Sequence, residues 1–279
     1  MPDHSIDVTT PELAVSDATA TTPAVEPTFT RAARRDASKP LAEPRIDWRL
    51  GGRTVARWRE WLLATALLSL GVAILIATLL SWLWPTPEGA ASATAVLWLG
   101  MLVPILWAFT RSRPAGLLRF RALDVLYGVA LAGVLRIIQG WLAVVTGGSG
   151  ALPSYSLMNG ELSGMWWFTD AVSVVLIAPV VEEFFFRGVI LVALYTVLRR
   201  PFGHVTAGLV AVIVSTGLFV LLHGLTGGIS IDQVVSIALI GLVGGMLVML
   251  TGRIWGAVLV HTGFNLTFVV ISLAGTFLV

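Results

Sequence analysis

The chain has 279 residues, of which 56% are hydrophobic and only 12% charged. Soluble domains carry about 25% charged residues, so this composition excludes an ordinary soluble globular protein and indicates a protein of the membrane. The chain has no cysteine, which excludes disulfides, thiolate metal sites and a cysteine nucleophile. The net charge is only +2, but the charges are unevenly placed along the chain.

Residues 1–56 differ in composition from the rest of the chain. They are rich in Thr, Ala, Pro, Asp and Arg and contain few large apolar residues. Such a segment cannot bury a core, so we predict a disordered tail over 1–56. The remainder, 57–279, is predicted to be the membrane domain.

Seven apolar segments follow the tail, and each approaches or exceeds the ~20 residues that a spanning helix needs. We therefore predict an all-α, polytopic bundle of about seven transmembrane helices. The segments are 61–84, 90–109, 122–146, 167–198, 205–225, 232–250 and 254–277.

Basic residues alternate between the ends of these segments. Nine precede the first segment, four follow the second, two follow the fourth and one follows the sixth, whereas the loops 85–89, 147–166 and 226–231 have none. By the positive-inside rule the N-terminus is expected in the cytoplasm and the C-terminus outside. Two further arginines, Arg136 and Arg187, lie within segments, and Arg136 is expected to pair with Asp170.

Three polar motifs interrupt the later apolar segments. Glu182 and Glu183 are followed by Arg187, four residues after Glu183 and therefore on the same helical face. Glu182 points about 100° away from its neighbour, so it can face a cavity while Glu183 is held by Arg187. Charged groups inside a membrane are costly and usually mark a functional site, although an ion pair alone would also suit a structural role.

The other two motifs repeat the four-residue spacing. Phe219 and His223 lie on the fifth segment, and His261 and Asn265 lie on the seventh. A carboxylate beside a histidine can act as general base towards water, and a second histidine with an amide can donate hydrogen bonds to a developing oxyanion. The three motifs together therefore indicate hydrolysis.

These three motifs resemble those of the CPBP family, which comprises the CAAX proteases and bacteriocin-processing enzymes, also called Abi proteins. The resemblance covers about 167–270 and extends to Thr251, Gly252 and Trp255 before the last segment. It implies an intramembrane glutamic endopeptidase with no metal or cofactor. Glu182 and His223 would activate water, His261 and Asn265 would form the oxyanion hole, and Glu183, Arg187 and Phe219 would support them.

Two alternative functions remain open at this stage. Glu182, His223 and His261 could instead hold zinc in a metalloprotease, although no His-Glu-x-x-His motif is present. The carboxylates could also serve a non-enzymatic immunity or transport protein. The expected partners are a membrane-associated peptide or protein substrate and the lipid bilayer, with no nucleic acid, and the expected location is a bacterial cell membrane.

Straight helices would not bring the three motifs to one depth. At ~1.5 Å per residue, Glu182 lies ~20 Å from the outer end of its segment. By the same measure His223 lies ~27 Å, and His261 ~10 Å, from the inner ends of theirs. Tilted helices, a kink at Pro179 or displaced helix ends must remove this difference.

Overall fold

The structure is a computed structural model, and it describes residues 47–50, 55, 57–226 and 230–278. The described part is all-α: its elements are helices, and its one β-bridge, between Met158 and Glu161, is isolated. The helices in chain order are α1 (Glu60–Leu83), α2 (Pro87–Arg111), α3 (Ala115–Leu118), α4 (Ala122–Val145), π1 (Trp167–Ile177), α5 (Ala178–Glu183), π2 (Phe184–Leu191), α6 (Val192–Thr226), α7 (Ile231–Thr251) and α8 (Trp255–Phe277).

Several helix ends follow from local sequence signals. Thr86 precedes α2, where its side chain accepts a hydrogen bond from the Gly89 amide, and Pro87 occupies the first helical position. At the other end of the chain Gly252 ends α7 with φ 72°, a left-handed conformation that favours glycine. These signals separate helices whose apolar composition alone would not mark their boundaries.

Among the described residues, six helices are long and apolar enough to cross a membrane. One of them, Trp167–Leu225, has 59 residues. At ~1.5 Å per residue it is far longer than the ~30 Å hydrocarbon core, so it cannot make a single crossing. This long helix therefore contains both the fourth and the fifth predicted segments.

The long helix folds back on itself at Gly203, which has φ 77° and ψ 172°. Contacts on either side of this break run antiparallel: Ser215 donates to the Phe186 carbonyl, and Tyr195 meets His204. The predicted turn at Pro201 and Gly203 thus agrees with the structure. The two arms place the segment that carries Glu182 beside the segment that carries His223.

The bundle packs most tightly where small residues allow helices to approach. A Cβ atom added to Gly100 of α2 would lie 2.3 Å from the Ala73 Cβ of α1, and one added to Gly241 of α7 would lie 2.7 Å from Thr216 of α6. Small residues are the usual contact points of membrane helices, because lipid supplies no hydrophobic force between them. The two largest fully buried side chains, Trp48 and Trp58, precede α1, and π2 contributes several of the next largest, among them Phe185 and Phe186.

Most of the predicted tail, residues 1–46, lies outside the described residues, as do 51–54 and Ala56. Asp47–Leu50, however, form part of the fold: the Trp48 side chain is fully buried and donates to the Gly252 carbonyl over 3.0 Å. Arg49 donates to the carbonyls of Met249 and Leu250 at the end of α7. The folded part therefore begins before the predicted boundary at residue 57, because Trp48 and Arg49 contact the end of α7.

Candidate active site

Glu182 lies in a short α-helical stretch between two π-helical ones. Helix α5 is six residues long, with Pro179 at its start, and π1 and π2 adjoin its two ends. Proline lacks an amide donor and disturbs the regular helix ladder, and π-helical turns are frequently found at functional sites. The backbone is thus irregular on both sides of the two glutamates.

The two neighbouring glutamates point to different partners. Glu182 Oε2 lies 3.9 Å from His223 Nε2 and 4.0 Å from His261 Nε2, and this oxygen accepts no hydrogen bond from a described protein group. Glu183 Oε1 lies 3.1 Å from His261 Nδ1 and 3.1 Å from Arg187 Nη1. The predicted divergence of the two side chains therefore agrees with the structure, and His261 contacts both carboxylates.

The Glu183–Arg187 pair is completely enclosed. Both residues are 0% exposed, although the Arg187 nitrogens do not reach hydrogen-bond geometry with any described acceptor. The guanidinium instead lies over the Phe219 ring, 4.3 Å from its centroid. A buried charge of this kind depends strongly on its partner, because its removal leaves the other charge uncompensated.

Phe219 is the common neighbour of the charged groups. Its ring centroid lies 4.5 Å from that of His223 and 5.7 Å from that of His261, in edge-on geometry. The side chain is 1% exposed. Phe219 therefore separates the Arg187 cation from the histidines and restricts the orientation of both imidazole rings.

The orientation of His223 fixes which ring nitrogen carries a proton. Its Nδ1 lies 2.9 Å from the Phe219 carbonyl oxygen, which can only accept, so Nδ1 is the donor. In the neutral imidazole Nε2 is then an acceptor, and it is this atom that faces Glu182.

Asn265 lies one helical turn after His261 on α8. Its amide nitrogen donates to the Val174 carbonyl of π1 over 2.8 Å, which leaves its second N–H for another acceptor. Val174 also lines the cavity beside Glu182. The structure thus places Asn265 at the wall of the same region, in contact with π1 rather than directly with Glu182.

A cavity of about 360 Å³ adjoins Glu182 and His223. Its walls come from α2, π1, α5 and α6, and include Thr94, Trp98, Thr169, Ser173 and Leu222. These residues could not be found from the sequence, because Thr, Ser and Trp at isolated positions of a membrane helix form no motif. Only the fold shows that α2, remote in sequence, contributes to this wall.

Two features of the helices bear on the difference in depth between Glu182, His223 and His261 that straight helices imply. The α7–α8 turn is recessed, since Gly252, Arg253 and Ile254 are buried and the Ile254 amide donates to the Leu117 carbonyl. His261 follows this buried turn by about two helical turns and faces Glu182. In addition, π1 and π2 hold more residues per turn than an α-helix, which alters the height of Glu182.

The expected pair between Arg136 and Asp170 is wrong. Arg136 contacts Thr267, Gln139 and the Phe264 carbonyl, and its guanidinium lies 3.8 Å from the Phe264 ring centroid. Asp170 accepts a hydrogen bond from the neighbouring Thr169 hydroxyl. The arginine is satisfied by polar groups and an aromatic face of α8, so it needs no carboxylate.

Comparison with known families adds to this geometry. Residues 164–267 match the family described as "Type II CAAX prenyl endopeptidase Rce1-like". This stretch is an Rce1-like domain. It contains all three polar motifs, in agreement with the family suggested by the sequence, and its description is that of an endopeptidase. No curated protein and no solved structure matched the chain.

The Rce1-like domain does not supply the whole cavity. Thr94 and Trp98 lie on α2, which precedes the matched residues. The three polar motifs and one wall of the adjoining cavity thus come from different parts of the chain.

Proposed function

We propose that the chain is an intramembrane glutamic endopeptidase that hydrolyses a peptide bond of a membrane-associated substrate. The observation that carries this proposal is the position of Glu182 Oε2, which faces the Nε2 atoms of His223 and His261 beside the cavity. The Rce1-like domain supports the protease class, and the geometry supports the assignment of roles below.

Glu182 and His223 would activate the water. A water that donates to two acceptors over about 2.8 Å each holds them about 4.4 Å apart, and the 3.9 Å from Glu182 Oε2 to His223 Nε2 is short enough for such a bridge. Both atoms can accept from the water, because His223 uses Nδ1 as its donor. In this role Glu182 accepts a proton from the water while the water oxygen attacks the carbonyl carbon of the scissile peptide bond. Glu182 can later donate that proton to the leaving amine.

His261 and Asn265 would stabilise the oxyanion. Glu183 accepts from His261 Nδ1, so a donor at Nε2 requires the imidazolium form, whose charge would lie between two carboxylates. Asn265 has one N–H left after its bond to Val174. Preorganised donors of this kind stabilise the transition state by several kcal/mol when they bind it more strongly than they bind the substrate.

Glu183, Arg187 and Phe219 would position these groups. Glu183 holds the His261 ring, Arg187 balances the charge of Glu183, and Phe219 packs against both histidines. None of the three faces the cavity, which fits a supporting role.

The spacing of the site lies between the values expected for a bridging water and for zinc. A tetrahedral zinc with ligands at about 2.05 Å brings them about 3.4 Å apart, shorter than the 3.9 and 4.0 Å found here. Within the described residues, no group of three His, Asp or Glu side chains is arranged to hold a metal ion. The cavity and the family description are also those expected of a protease rather than of a transporter.

The substrate and the orientation are part of the same proposal. The family description names prenyl endopeptidases of CAAX proteins. For this chain we propose the broader class of peptides held at or within a membrane, since the site lies among membrane-spanning helices. We also propose a cytoplasmic N-terminus, which the distribution of the arginines supports by the positive-inside rule.

The test is cleavage of a quenched fluorescent peptide library by the purified full-length protein in detergent, with and without a zinc chelator. We expect cleavage that persists with the chelator and is lost in His223→Ala. Activity that disappears with the chelator and returns with added zinc would support the metalloprotease instead. Cleavage by His223→Ala at the wild-type rate would refute the role given to this histidine.

A further inference from the structure

A second cavity, of about 230 Å³, lies where the arginine-rich loops meet. It is remote from the motifs above and is formed by the Asp47–Leu50 turn, the α3–α4 connection and the α7–α8 turn. We call it the arginine pocket; its lining residues are Asp47, Arg49, Gly116, Arg119, Arg121, Thr251, Gly252 and Arg253.

Two of its four arginines already have carboxylate partners. Arg49 Nη2 lies 2.7 Å from Asp47 Oδ2, and this guanidinium holds the pKa of Asp47 below its ordinary value of 3.8. Arg253 binds Asp124 through two nitrogens, at 2.7 Å for the closest pair of atoms. Asp124 is 0% exposed, so this pair forms a fixed base for the pocket.

Arg119 and Arg121 have no such partner. No acidic side chain among the described residues lies within ion-pair distance of either guanidinium, and both residues are exposed. The backbone explains why both reach the same cavity: Arg119 (ψ 123°) and Arg121 (φ −137°, ψ 152°) are extended. In an extended chain alternate side chains point the same way, so Phe120 points elsewhere and packs against Trp255.

The pocket therefore gathers four cations around two carboxylates. Like charges repel, and an anion that binds between Arg119 and Arg121 would remove this cost. Arginine presents a planar fork of donors that matches phosphate oxygens, and this makes it a preferred phosphate ligand.

We propose that the arginine pocket binds the phosphate group of an anionic phospholipid. The neighbouring surface favours a lipid over a soluble anion, because large apolar side chains are exposed beside the arginines: Leu118 is 37%, Phe120 54% and Leu123 50% exposed. Basic clusters at the end of membrane helices attract anionic headgroups, and such apolar side chains suit the acyl chains below.

Two of the four arginines are held in position by protein contacts alone. Arg49 is held by the carbonyls of Met249 and Leu250 as well as by Asp47, and Arg253 is held by Asp124. Only Arg119 and Arg121 have to adjust. A bound phosphate would thus connect the α3–α4 segment to the α7–α8 turn and to the Trp48 turn, which stabilises the folded protein by ligand binding.

The experiment measures thermal unfolding of the full-length protein in a neutral detergent during titration with phosphatidylglycerol. Phosphatidylcholine with the same acyl chains is the lipid control, and inorganic phosphate is the soluble anion. We expect phosphatidylglycerol alone to raise the unfolding temperature. In Arg119→Gln/Arg121→Gln the half-saturating concentration should rise about thirtyfold, since each arginine near an anionic surface contributes about 1 kcal/mol.

Two variants serve as controls. Arg113→Gln/Arg200→Gln removes two exposed charges from the same end of the bundle but outside the pocket, and it should respond to the lipid like the wild type. Arg119→Lys/Arg121→Lys keeps the charge and should retain much of the response, which separates charge from folding defects.

Each result bears on the proposal. A response to inorganic phosphate equal to that to phosphatidylglycerol would overturn the assignment to lipid and leave an anion site. Equal weakening by both double glutamine variants would overturn the site itself and indicate unspecific surface charge. An equal response to both lipids would overturn it as well.

Discussion

Glu182 and Glu183 show how far two adjacent, identical side chains can differ in environment. Glu183 is enclosed with Arg187 and His261, whereas Glu182 lies beside a cavity and faces two histidine nitrogens. The difference arises because successive residues of a helix point about 100° apart. The helical geometry therefore allows one carboxylate to face the cavity while its neighbour contacts Arg187 and His261.

Arg187 offers a test of this arrangement at the scale of a single residue. Arg187→Met should lower the unfolding temperature by about 10 °C, because loss of a buried partner costs about 3–5 kcal/mol. The measurement is thermal unfolding in detergent. The double variant Glu183→Gln/Arg187→Met removes both charges and should recover part of the loss. An unchanged unfolding temperature in Arg187→Met would contradict the ion pair.

The sequence predicted the residues of the site better than their contacts. The three motifs share the four-residue spacing of a helical face, and the chain alone predicted that they would lie together. The bond between Glu183 and His261 and the interaction of Phe219 with both histidines depend on how separate helices pack, for which spacing gives no information. The partners of Arg136 could not be predicted from spacing either, since they are Thr267, Gln139 and the Phe264 ring.

At the scale of an element, the break at Gly203 decides whether the long helix folds back. Its φ of 77° with ψ of 172° lies in a region that is essentially restricted to glycine. A Cβ atom at this position would meet no atom within 4 Å, so a substitution there tests the backbone alone. The turn was predictable from Pro201 and Gly203, whereas the π-helical turns on either side of Glu182 were not, because no side-chain pattern specifies them.

Gly203→Ala should destabilise the protein by about 1–3 kcal/mol, the usual cost of a strained backbone conformation. We expect a lower unfolding temperature in detergent and reduced activity, since the turn brings His223 to Glu182. The matched control is Gly217→Ala on the second arm of α6, where an added Cβ also meets no atom within 4 Å but the backbone is helical. This control should be neutral or slightly stabilising. Equal effects of both substitutions would refute the assigned role of Gly203.

At the scale of the whole molecule, parts remote from the motifs support the site. The cavity wall comes partly from α2, and the α7–α8 turn that precedes His261 is covered by Trp48. The number and type of the helices could be predicted from composition, because apolar segments of this length have few other structures available. The role of Asp47–Leu50 could not, since a single Trp-Arg pair in a polar segment gives no signal of burial.

Trp48→Ala should therefore destabilise the protein by about 3–5 kcal/mol, the typical cost of truncating a buried aromatic residue. The measurement is again thermal unfolding in detergent. Trp61→Ala is the control, because Trp61 is 79% exposed, and its removal should change stability by about 0.5 kcal/mol or less. A wild-type unfolding temperature in Trp48→Ala would show that this turn is not part of the folded unit.

The central claim is that Glu182 acts as the general base of a membrane-embedded protease. The most direct test compares peptide cleavage by the wild type with that by Glu182→Gln, which keeps the shape of the side chain and removes its charge. Glu161→Gln is the matched control, because it makes the same change at an exposed position. We expect at least about a hundredfold loss in Glu182→Gln at an unchanged unfolding temperature, and none in Glu161→Gln. Cleavage by folded Glu182→Gln at the wild-type rate would contradict the account.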